Sequence, residues 1–560
     1  MTNTMLTLLS AESLAEYYRS GFWRDETIYG AALRHAARAP TRIAVQDRAR
    51  RLGYRALIEA ADRLAARLAA GGVRPGQRVA VWLPSRAEVG VALLACSRNG
   101  YVCCPSLHRD HTVAEIRALL ERMRAAALIA EPGYGADGAR QDIFAAASDL
   151  TSPPLALALA PLGREAAGPA PFADPPGEAA PAPQAAPEEA ANRDPNRVIY
   201  LAFTSGTTGE PKGVMHSDNT LLANARAMAA DWSLDAESVI YTLSPLSHNL
   251  GLGALITALA AGAELVVHDL PRGASLVDRL REVRASFLFG VPTHAIDLVA
   301  ELRARGERGV ESVRGFRISG AAAPSEIIEE LLRRGIVPQS GYGMTETCSH
   351  QYTLPGDEAR LIVETCGRSC PGYEIRIFRQ DDPDQEAAPG EVGQIGGRGA
   401  SLMLGYFDDQ AATEAAFNQA GWFMTGDLGW LDPNFYLRVS GRKKDIIIRG
   451  GHNIYPARIE TLAGRHPDVE KVAAFPVRDE RLGEKVCLAI VARKGRAVSA
   501  EAMLLHLDAA GLSKYDMPEY LVSLEEMPLT ASGKVLKRDL VGWVETGRLQ
   551  PQAVRFRAPG

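Results

Sequence analysis

Short apolar runs alternate with amphipathic segments along most of this chain, and that alternation constrains its fold more than any other feature. Residues 54–71 carry apolar side chains at helical spacing and end in glycine, which predicts a helix. The apolar runs at 79–84 and 125–130 are short and predict buried strands. Because strands that alternate with helices usually form parallel sheets, this part of the chain is predicted to be an α/β domain.

The alternation is interrupted between residues 151 and 196, where proline and alanine dominate and aromatic side chains are almost absent. We interpret this segment as a semi-rigid, partly disordered connector. The alternation resumes directly afterwards, so the connector does not end the domain. The later strand-like runs lie at 198–203, 239–244, 263–268, 287–292 and 316–319.

The texture of the sequence changes at about residue 370, where short strand-like segments are separated by turn residues. The predicted fold class is therefore α/β, with a large N-terminal domain of α/β sheets over residues 1–440 that includes a β-rich subdomain at about 370–440. A mixed pattern of strands and helices follows, and it predicts a small α+β C-terminal domain over residues 445–560.

Composition excludes several classes of protein. The 560 residues include 62 Lys and Arg against 67 Asp and Glu, a net charge of -5 that gives no electrostatic basis for a nucleic-acid partner. The seven cysteines include no Cys-x-x-Cys pair, so neither a structural zinc site nor a disulfide framework is expected. The longest stretch without a charged residue or a histidine, 249–263, is too short to span a bilayer. We expect a cytoplasmic protein without a membrane partner.

The sharpest chemical signal is the segment Thr204-Ser-Gly-Thr-Thr-Gly-Glu-Pro-Lys-Gly213, which directly follows a predicted strand. Its three glycines allow a ligand to approach the backbone closely, and its hydroxyl and N–H groups suit phosphate oxygens. The segment does not match the Walker pattern G-x-x-x-x-G-K-[ST]. A flexible surface loop is the alternative interpretation, and the Pro-Lys-Gly ending argues against it.

This segment resembles the phosphate loop of the adenylate-forming superfamily, which includes acyl- and aryl-CoA synthetases, adenylation domains of peptide synthetases and firefly luciferase. Five further family segments follow it in order, so the resemblance covers essentially the whole chain. They lie at 241–251, 340–347, 421–432, 441–460 and 528–540. The resemblance implies that ATP and Mg²⁺ convert a small carboxylic acid to an acyl-adenylate, and that the thiol of coenzyme A then displaces AMP.

The resemblance also assigns roles to residues of the nucleotide site. Tyr342 would stack on adenine, Thr345 would contact phosphate, and Glu346 would bind Mg²⁺; a helix-capping Thr-Glu pair is the alternative. Asp427 and Arg442 would contact the ribose, although an aspartate alone would suggest a capped surface turn. The remaining predicted cofactor-binding residues are Thr204, Ser205, Gly206, Thr207, Thr208, Gly209, Lys212, Gly320 and Ala321.

Four further residues are assigned by their places in the family segments. Lys534 would bridge the substrate carboxylate and the α-phosphate during adenylation. Lys444 lies at the predicted hinge, 441–444, about which the C-terminal domain is expected to rotate. Gly451, in a predicted Gly-Gly hairpin, would let the pantetheine arm of coenzyme A reach the active site. His248 would act as a gate beside the substrate carboxylate.

The resemblance places the acid pocket in the segments near 248–253, 289–293, 319–322 and 341–350, where the expected lining residues include Asn249, Phe289 and Cys348. Apart from three histidines these lining residues are uncharged, which favours an uncharged, compact acid. Residues 17–40 resemble both the aryl-acid AMP ligases that load carrier proteins and the cyclohexanecarboxylate–CoA ligases. Residues 348–358 and 364–378 are more similar to the second group, so the expected product is the CoA thioester of a small cyclic acid. His248-Asn249 instead resembles ligases that adenylate aryl acids and load a carrier protein. That activity and medium-chain fatty acyl-CoA formation remain alternatives. A catalytically silent nucleotide-binding protein is disfavoured because Glu346, Asp427, Arg442 and Lys534 are all present.

Overall fold

A computed structural model describes residues 8–162, 192–204, 211–271, 273–529 and 535–556 of the chain. Within these residues the helices are α1 (Ala11–Arg19), α2 (Ile28–Arg38), α3 (Tyr54–Ala70), α4 (Ala87–Asn99), α5 (Val113–Met123), α6 (Ile143–Ser148), α7 (Asp218–Asp231), α8 (Asn249–Ala261), α9 (Leu276–Glu282), α10 (Pro292–Ala304), α11 (Ser325–Arg333), α12 (Ala359–Glu364), α13 (Gln410–Ala415), α14 (Pro456–Ala463), α15 (Ala500–Ala509) and α16 (Lys537–Glu545).

The strands of the first part of the chain are β1 (Ile43–Gln46), β2 (Arg51–Gly53), β3 (Arg78–Trp82), β4 (Val102–Cys104), β5 (Ala125–Ala130), β6 (Leu155–Ala158), β7 (Val198–Thr204), β8 (Lys212–Ser217), β9 (Val239–Thr242), β10 (Glu264–Val267), β11 (Phe287–Gly290), β12 (Gly315–Ile318), β13 (Val337–Met344), β14 (Cys348–Tyr352) and β15 (Arg368–Ser369). The later strands are β16 (Tyr373–Phe378), β17 (Gly393–Gly399), β18 (Gly405–Tyr406), β19 (Phe423–Leu431), β20 (Leu437–Arg442), β21 (Ile447–Arg449), β22 (His452–Ile454), β23 (Val469–Asp479), β24 (Gly483–Ala492), β25 (Tyr520–Ser523) and β26 (Gln552–Ala553).

The chain divides into two compact units. Unit 1 comprises residues 1–320, 327–375 and 397–423, and unit 2 comprises 321–326, 376–396 and 424–560. The predicted boundary at residue 440 differs from this division, because it places the β-rich residues 376–396 and 424–440 in the N-terminal domain. The predicted hinge at 441–444 lies inside unit 2 and stays a prediction.

Unit 1 contains two mixed sheets, of orders β15-β14-β13-β12-β11-β9-β10-β1-β2 and β18-β8-β7-β4-β3-β5-β6. Their inner strands run parallel, and the predicted α/β class is confirmed. In each sheet one parallel strand is followed in the chain by a strand that pairs with it in the antiparallel direction. β8 follows β7 in this way, and β14 follows β13. The two predicted phosphate-handling segments lie at these two turns.

The helix predicted at 54–71 is α3, and its C-cap is Gly71. Leu57, Leu64 and Leu68 recur on one face of α3 and are fully buried, as the helical spacing of the apolar residues required. The strand predicted at 125–130 is β5, with the same limits.

The predicted connector at 151–196 is wrong at its beginning. Leu155–Ala158 form β6, which extends the second sheet by pairing in parallel with β5. Backbone hydrogen bonding to an existing sheet stabilises a strand that proline-rich surroundings alone would not favour. Residues 163–191 of the connector lie outside the described residues.

Unit 2 contains most of the sheet β16-β17-β19-β20 and a six-stranded sheet in which β24 pairs with both β23 and β25. Alternate residues of β24 are buried on opposite faces. Leu488 and Ile490 belong to a core shared with α14 and α15, whereas Cys487 and Ala489 belong to one shared with α16. Burial on both faces explains the continuous apolar run in the sequence of β24.

No helix among the described residues is long and apolar enough to cross a membrane. All seven cysteines are free thiols, and six of them are buried. Burial raises the pKa of Cys348, Cys370 and Cys487 to about 12, so these side chains are neutral thiols that contribute to apolar packing.

Candidate active site

The predicted phosphate loop joins β7 to β8 in unit 1. Thr204 ends β7, Lys212 begins β8, and the two residues face each other across the antiparallel pair. The loop residues predicted to bind phosphate, Ser205, Gly206, Thr207, Thr208 and Gly209, lie outside the described residues. The Nζ atom of Lys212 lies 4.6 Å from the centre of the Tyr406 ring, a cation–π contact.

Tyr406 also contacts the predicted metal ligand. Its hydroxyl donates a hydrogen bond of 2.9 Å to Oε1 of Glu346, which is only 7% exposed. Burial and the negative charge of Glu346 raise the pKa of Tyr406, so the phenol keeps its proton and acts as a donor. Tyr406 thus brings together Lys212 and Glu346, which are 134 positions apart in the sequence.

Thr345 and Glu346 lie in the turn between β13 and β14. The alternative interpretation, a capping pair at the start of a helix, is therefore wrong. Nε2 of His216 donates to the carbonyl oxygen of Thr345 at 2.7 Å, and burial lowers the pKa of His216 to about 4. His216, left unassigned by the sequence, is thus a neutral support that fixes the backbone of this turn.

Tyr342, the predicted adenine contact, lies near the end of β13. Its ring meets the ring of His350 edge to face, with centres 5.5 Å apart. His350 in turn stacks on Tyr373 at 4.1 Å. Burial and the charge of Arg317 lower the pKa of His350 to about 3, so the column of rings behind Tyr342 carries no charge.

His248 directly precedes α8 and is stacked face to face on His108, with ring centres 4.1 Å apart and planes 12° apart. His108 lies in the loop after β4, 140 positions earlier, and no sequence motif pointed to it.

A cavity of about 20 Å³ lies between α7 and α8 in unit 1. It includes three residues that the sequence assigned to the acid pocket, Asn249, Phe289 and Cys348. Gly253 and Ser349 also line it and lie in the predicted pocket segments. No sequence motif pointed to the remaining lining residues, which are Leu221, Asn224, Ala225, Met228, Ile256 and Thr257. None of the lining side chains carries a charge. The volume suits about one water molecule, so an acid can enter only if lining side chains such as the flexible Met228 shift.

Cys348, which lines this cavity, and Gly320 both have positive φ. Cys348 has φ +58°, which is uncommon for a residue with a side chain, and Gly320 has φ +96°. Strain of this kind is retained where the surrounding structure requires it. Ala321 begins the first segment of unit 2 and is exposed.

In unit 2, the predicted ribose contacts Asp427 and Arg442 face each other on β19 and β20. Nε of Arg442 lies 3.2 Å from Oδ1 of Asp427, which is 8% exposed. The structure therefore brings this predicted pair together, although 15 positions separate them in the sequence. A buried carboxylate beside a half-exposed guanidinium is suited to bind neighbouring hydroxyl groups.

The predicted hinge residue Lys444 lies in a short 3₁₀ helix, Lys443–Asp445, that follows β20. Burial, and then the charge of Arg442, lower the pKa of Lys444. The neighbouring Lys443 belongs to the basic run Arg-Lys-Lys, whose side chains would ordinarily be solvated. Its Nζ atom instead donates to the carbonyl oxygen of Gln380 at 3.0 Å and to Gln394 at 3.3 Å.

The predicted Gly-Gly hairpin is confirmed. Gly450 and Gly451 connect β21 to β22, with Arg449 and His452 paired across the turn. Both glycines have positive φ, +57° and +85°, as a two-residue hairpin loop of this type requires. The predicted adenylation residue, Lys534, lies outside the described residues.

The α/β fold, the two strand turns at the predicted phosphate-binding segments and a cavity without charged side chains fit one class of protein: an enzyme that activates carboxylic acids with ATP. The AMP-binding enzyme family matches residues 33–407, and the AMP-binding enzyme C-terminal domain matches residues 458–534. The chain belongs to this family and is an AMP-forming acyl-CoA synthetase, which confirms the resemblance that the sequence motifs indicated.

Similar proteins of the family differ in their acids. The chain is 34% identical to the indoleacetate–CoA ligase of Aromatoleum aromaticum, over 90% of this chain and 96% of that one. It is 30% identical to the medium-chain fatty-acid–CoA ligase of Escherichia coli, over 96% and 94% of the two chains. The crystal structure of ATP-bound MatB from Rhodopseudomonas palustris is similar with a TM-score of 0.77 and 26% identity, covering 92% and 98%.

Proposed function

We propose that this enzyme forms the CoA thioester of a small, uncharged cyclic carboxylic acid of the cyclohexanecarboxylate type. The observation that carries the proposal is the cavity between α7 and α8, whose lining is largely apolar and has no charged side chain. A second carboxylate or an ammonium group buried there would lack a partner, and burying an unpaired charge is strongly unfavourable.

The reaction proceeds in two displacements. A carboxylate oxygen of the acid attacks the α-phosphorus of ATP and pyrophosphate leaves, which gives the acyl-adenylate. The sulfur of coenzyme A then attacks the acyl carbon and AMP leaves. Both steps depend chiefly on the stabilisation of negative charge. In our assignment Lys212, the loop 204–209 and Thr345 bind phosphate oxygens, and Lys534 bridges the carboxylate and the α-phosphate.

Glu346 fits the expected Mg²⁺ ligand. Magnesium is usually held by one or two carboxylates together with substrate phosphates and water. Glu346 supplies one such carboxylate, and its buried position is maintained by Tyr406. The described residues contain no group of three or more His, Cys, Asp or Glu side chains that could hold a metal ion. An ion at Glu346 would therefore depend on ligands from ATP and water. The ion would neutralise charge on the phosphates of ATP.

The contacts of the nucleotide itself are assigned from the family resemblance. Tyr342 would offer its ring to adenine, with Gly320 and Ala321 beside the nucleotide. Asp427 would accept hydrogen bonds from the ribose hydroxyls, and Arg442 would donate to them. His248 would lie beside the acid carboxylate. We assign to Lys444 the backbone rotation that exchanges the adenylating arrangement for the thioester-forming one.

Gly451→Leu is expected to slow thioester formation selectively, by about tenfold or more, while adenylation stays within about twofold of wild type. A Cβ atom at Gly451 has no atom within 4 Å, so a side chain would project from the hairpin toward the proposed pantetheine path. Single-turnover kinetics would measure the two half-reactions separately.

Gly495→Leu is the matched control for Gly451→Leu. Gly495 also lies in unit 2, has φ +76°, and would likewise place a Cβ atom with no neighbour within 4 Å. The control therefore introduces similar backbone strain away from the hairpin. An equal loss in both half-reactions of Gly451→Leu, or the same loss in the control, would count against the assignment.

A panel of acids tests the substrate class. Cyclohexanecarboxylate, a cyclohexenecarboxylate, benzoate, salicylate, 2,3-dihydroxybenzoate and octanoate would each be assayed with ATP and Mg²⁺ for AMP release, with and without CoA. We expect CoA-dependent turnover to be highest on an alicyclic acid. Highest turnover on octanoate would instead indicate a medium-chain fatty acyl-CoA ligase.

An aryl acid is the second candidate, because Asn249 lines the acid cavity and its amide can bind an ortho hydroxyl group. Pyrophosphate exchange with salicylate or 2,3-dihydroxybenzoate, with no CoA thioester formed, would favour this candidate. The acceptor would then be a carrier protein.

A further inference from the structure

Three imidazole rings form a column in unit 1. His111 is stacked on His108 with ring centres 5.3 Å apart, and His108 is stacked on His248 at 4.1 Å. The planes of His108 and His248 are only 12° from parallel, so the middle ring covers one face of the proposed gate residue.

His108 is held in place at both its backbone and its ring. Nε1 of Trp82, a fully buried residue of β3, donates to the carbonyl oxygen of His108 at 3.0 Å. Nδ1 of His108 lies 3.1 Å from Oγ of Ser247, the residue that precedes His248. The sheet therefore fixes the backbone of His108, and Ser247 fixes its ring against the segment that carries the gate.

The middle ring is also uncharged. Burial, and then the neighbouring rings of His248 and His111, lower the pKa of His108 to about 3. A neutral ring at this position can stack on His248 whether or not His248 is protonated, because it brings no second positive charge.

We propose that His108 is a positioning residue for acid activation: it holds the plane of the His248 ring in the orientation that receives the substrate carboxylate. The inference rests on the proposed role of His248. Stacking from a fixed neighbour reduces the rotamer freedom that His248 would otherwise lose when the acid binds. His108 itself would not touch the reacting atoms.

His108→Ala should raise the KM for the acid about tenfold, since the loss of one stacked pair corresponds to roughly a factor of ten in affinity. The KM for ATP should stay within about twofold of wild type, because the proposed role of His108 concerns the acid carboxylate and not the nucleotide. His108→Phe should restore the acid KM to within about twofold, since a planar ring can stack without ionising. The assay would use the panel acid with the highest turnover.

His111→Ala is the matched control. It removes the outer ring of the column and the acceptor of a hydrogen bond from the backbone N–H of His108, but it keeps the Trp82 contact and the pair His108–His248. We expect it to change the acid KM by less than about twofold. Thermal denaturation of each variant would check that the loop still folds. The proposal would be overturned if His111→Ala raised the acid KM as much as His108→Ala does, or if His108→Phe did not restore it.

A double-mutant cycle separates this inference from the proposed function. If His108 acts through His248, then adding His108→Ala to His248→Ala should cost nothing further in acid KM. Additive increases in the acid KM would overturn the positioning role of His108 while leaving His248 as the gate. An unchanged acid KM in His248→Ala alone would overturn both assignments.

Discussion

Lys534→Ala is expected to lower acyl-adenylate formation by about 10²- to 10³-fold and to leave thioester formation from supplied acyl-adenylate nearly unchanged. Lys534 is proposed to neutralise charge as the α-phosphorus becomes five-coordinate, and the second half-reaction has no such centre. The residues that flank this segment are paired: Leu529 forms an antiparallel bridge with Val535, and the N–H of Leu536 donates to the carbonyl oxygen of Pro528. ATP–pyrophosphate exchange would measure the first step, and rapid-quench analysis of the supplied intermediate the second.

Arg538→Ala is the control for Lys534→Ala, because Arg538 belongs to the same basic tail and its side chain is 78% exposed. We expect it to leave both half-reactions unchanged. Lys537 is unsuitable as a control, since its ammonium group pairs with Glu460 at 2.7 Å and contributes to unit 2. Loss of both half-reactions together in Lys534→Ala would contradict the assigned role.

Glu346→Gln is expected to reduce adenylation by about 10²-fold and to raise the Mg²⁺ concentration needed for half-maximal rate. Glutamine has nearly the shape of glutamate and can still accept the hydrogen bond from Tyr406. The substitution therefore removes the charge and little else. A Mg²⁺ titration of pyrophosphate exchange is the measurement, with thioester formation from supplied acyl-adenylate as the reference reaction.

Tyr406→Phe complements Glu346→Gln. It keeps the carboxylate and removes only the hydroxyl that holds it, so the adenylation rate is expected to fall less, by about tenfold. An unchanged Mg²⁺ requirement in Glu346→Gln would exclude Glu346 as the metal ligand. A loss in Tyr406→Phe equal to that in Glu346→Gln would indicate that the position of the carboxylate matters as much as its charge.

Much of the architecture could be predicted because it depends on local patterns. The helix at 54–71 and the strand at 125–130 were predicted within one residue, since burial of one helix face or of a whole strand leaves a regular trace in the sequence. The strand at Leu155–Ala158 could not be predicted in this way. Its stability comes from hydrogen bonds to β5, a partner that the local composition does not reveal.

The sequence by itself determined the family, the order of the family segments, and the turn at Gly450-Gly451, because each depends on residue types at fixed spacing. The tertiary structure decided which side chains support those segments. Tyr406 beneath Glu346, His216 behind Thr345 and His108 against His248 are each 60 to 140 positions from the residue they contact. The arrangement of the sheets creates these contacts. A side chain that acts only by touching a distant neighbour leaves no periodicity or spacing in the sequence around it.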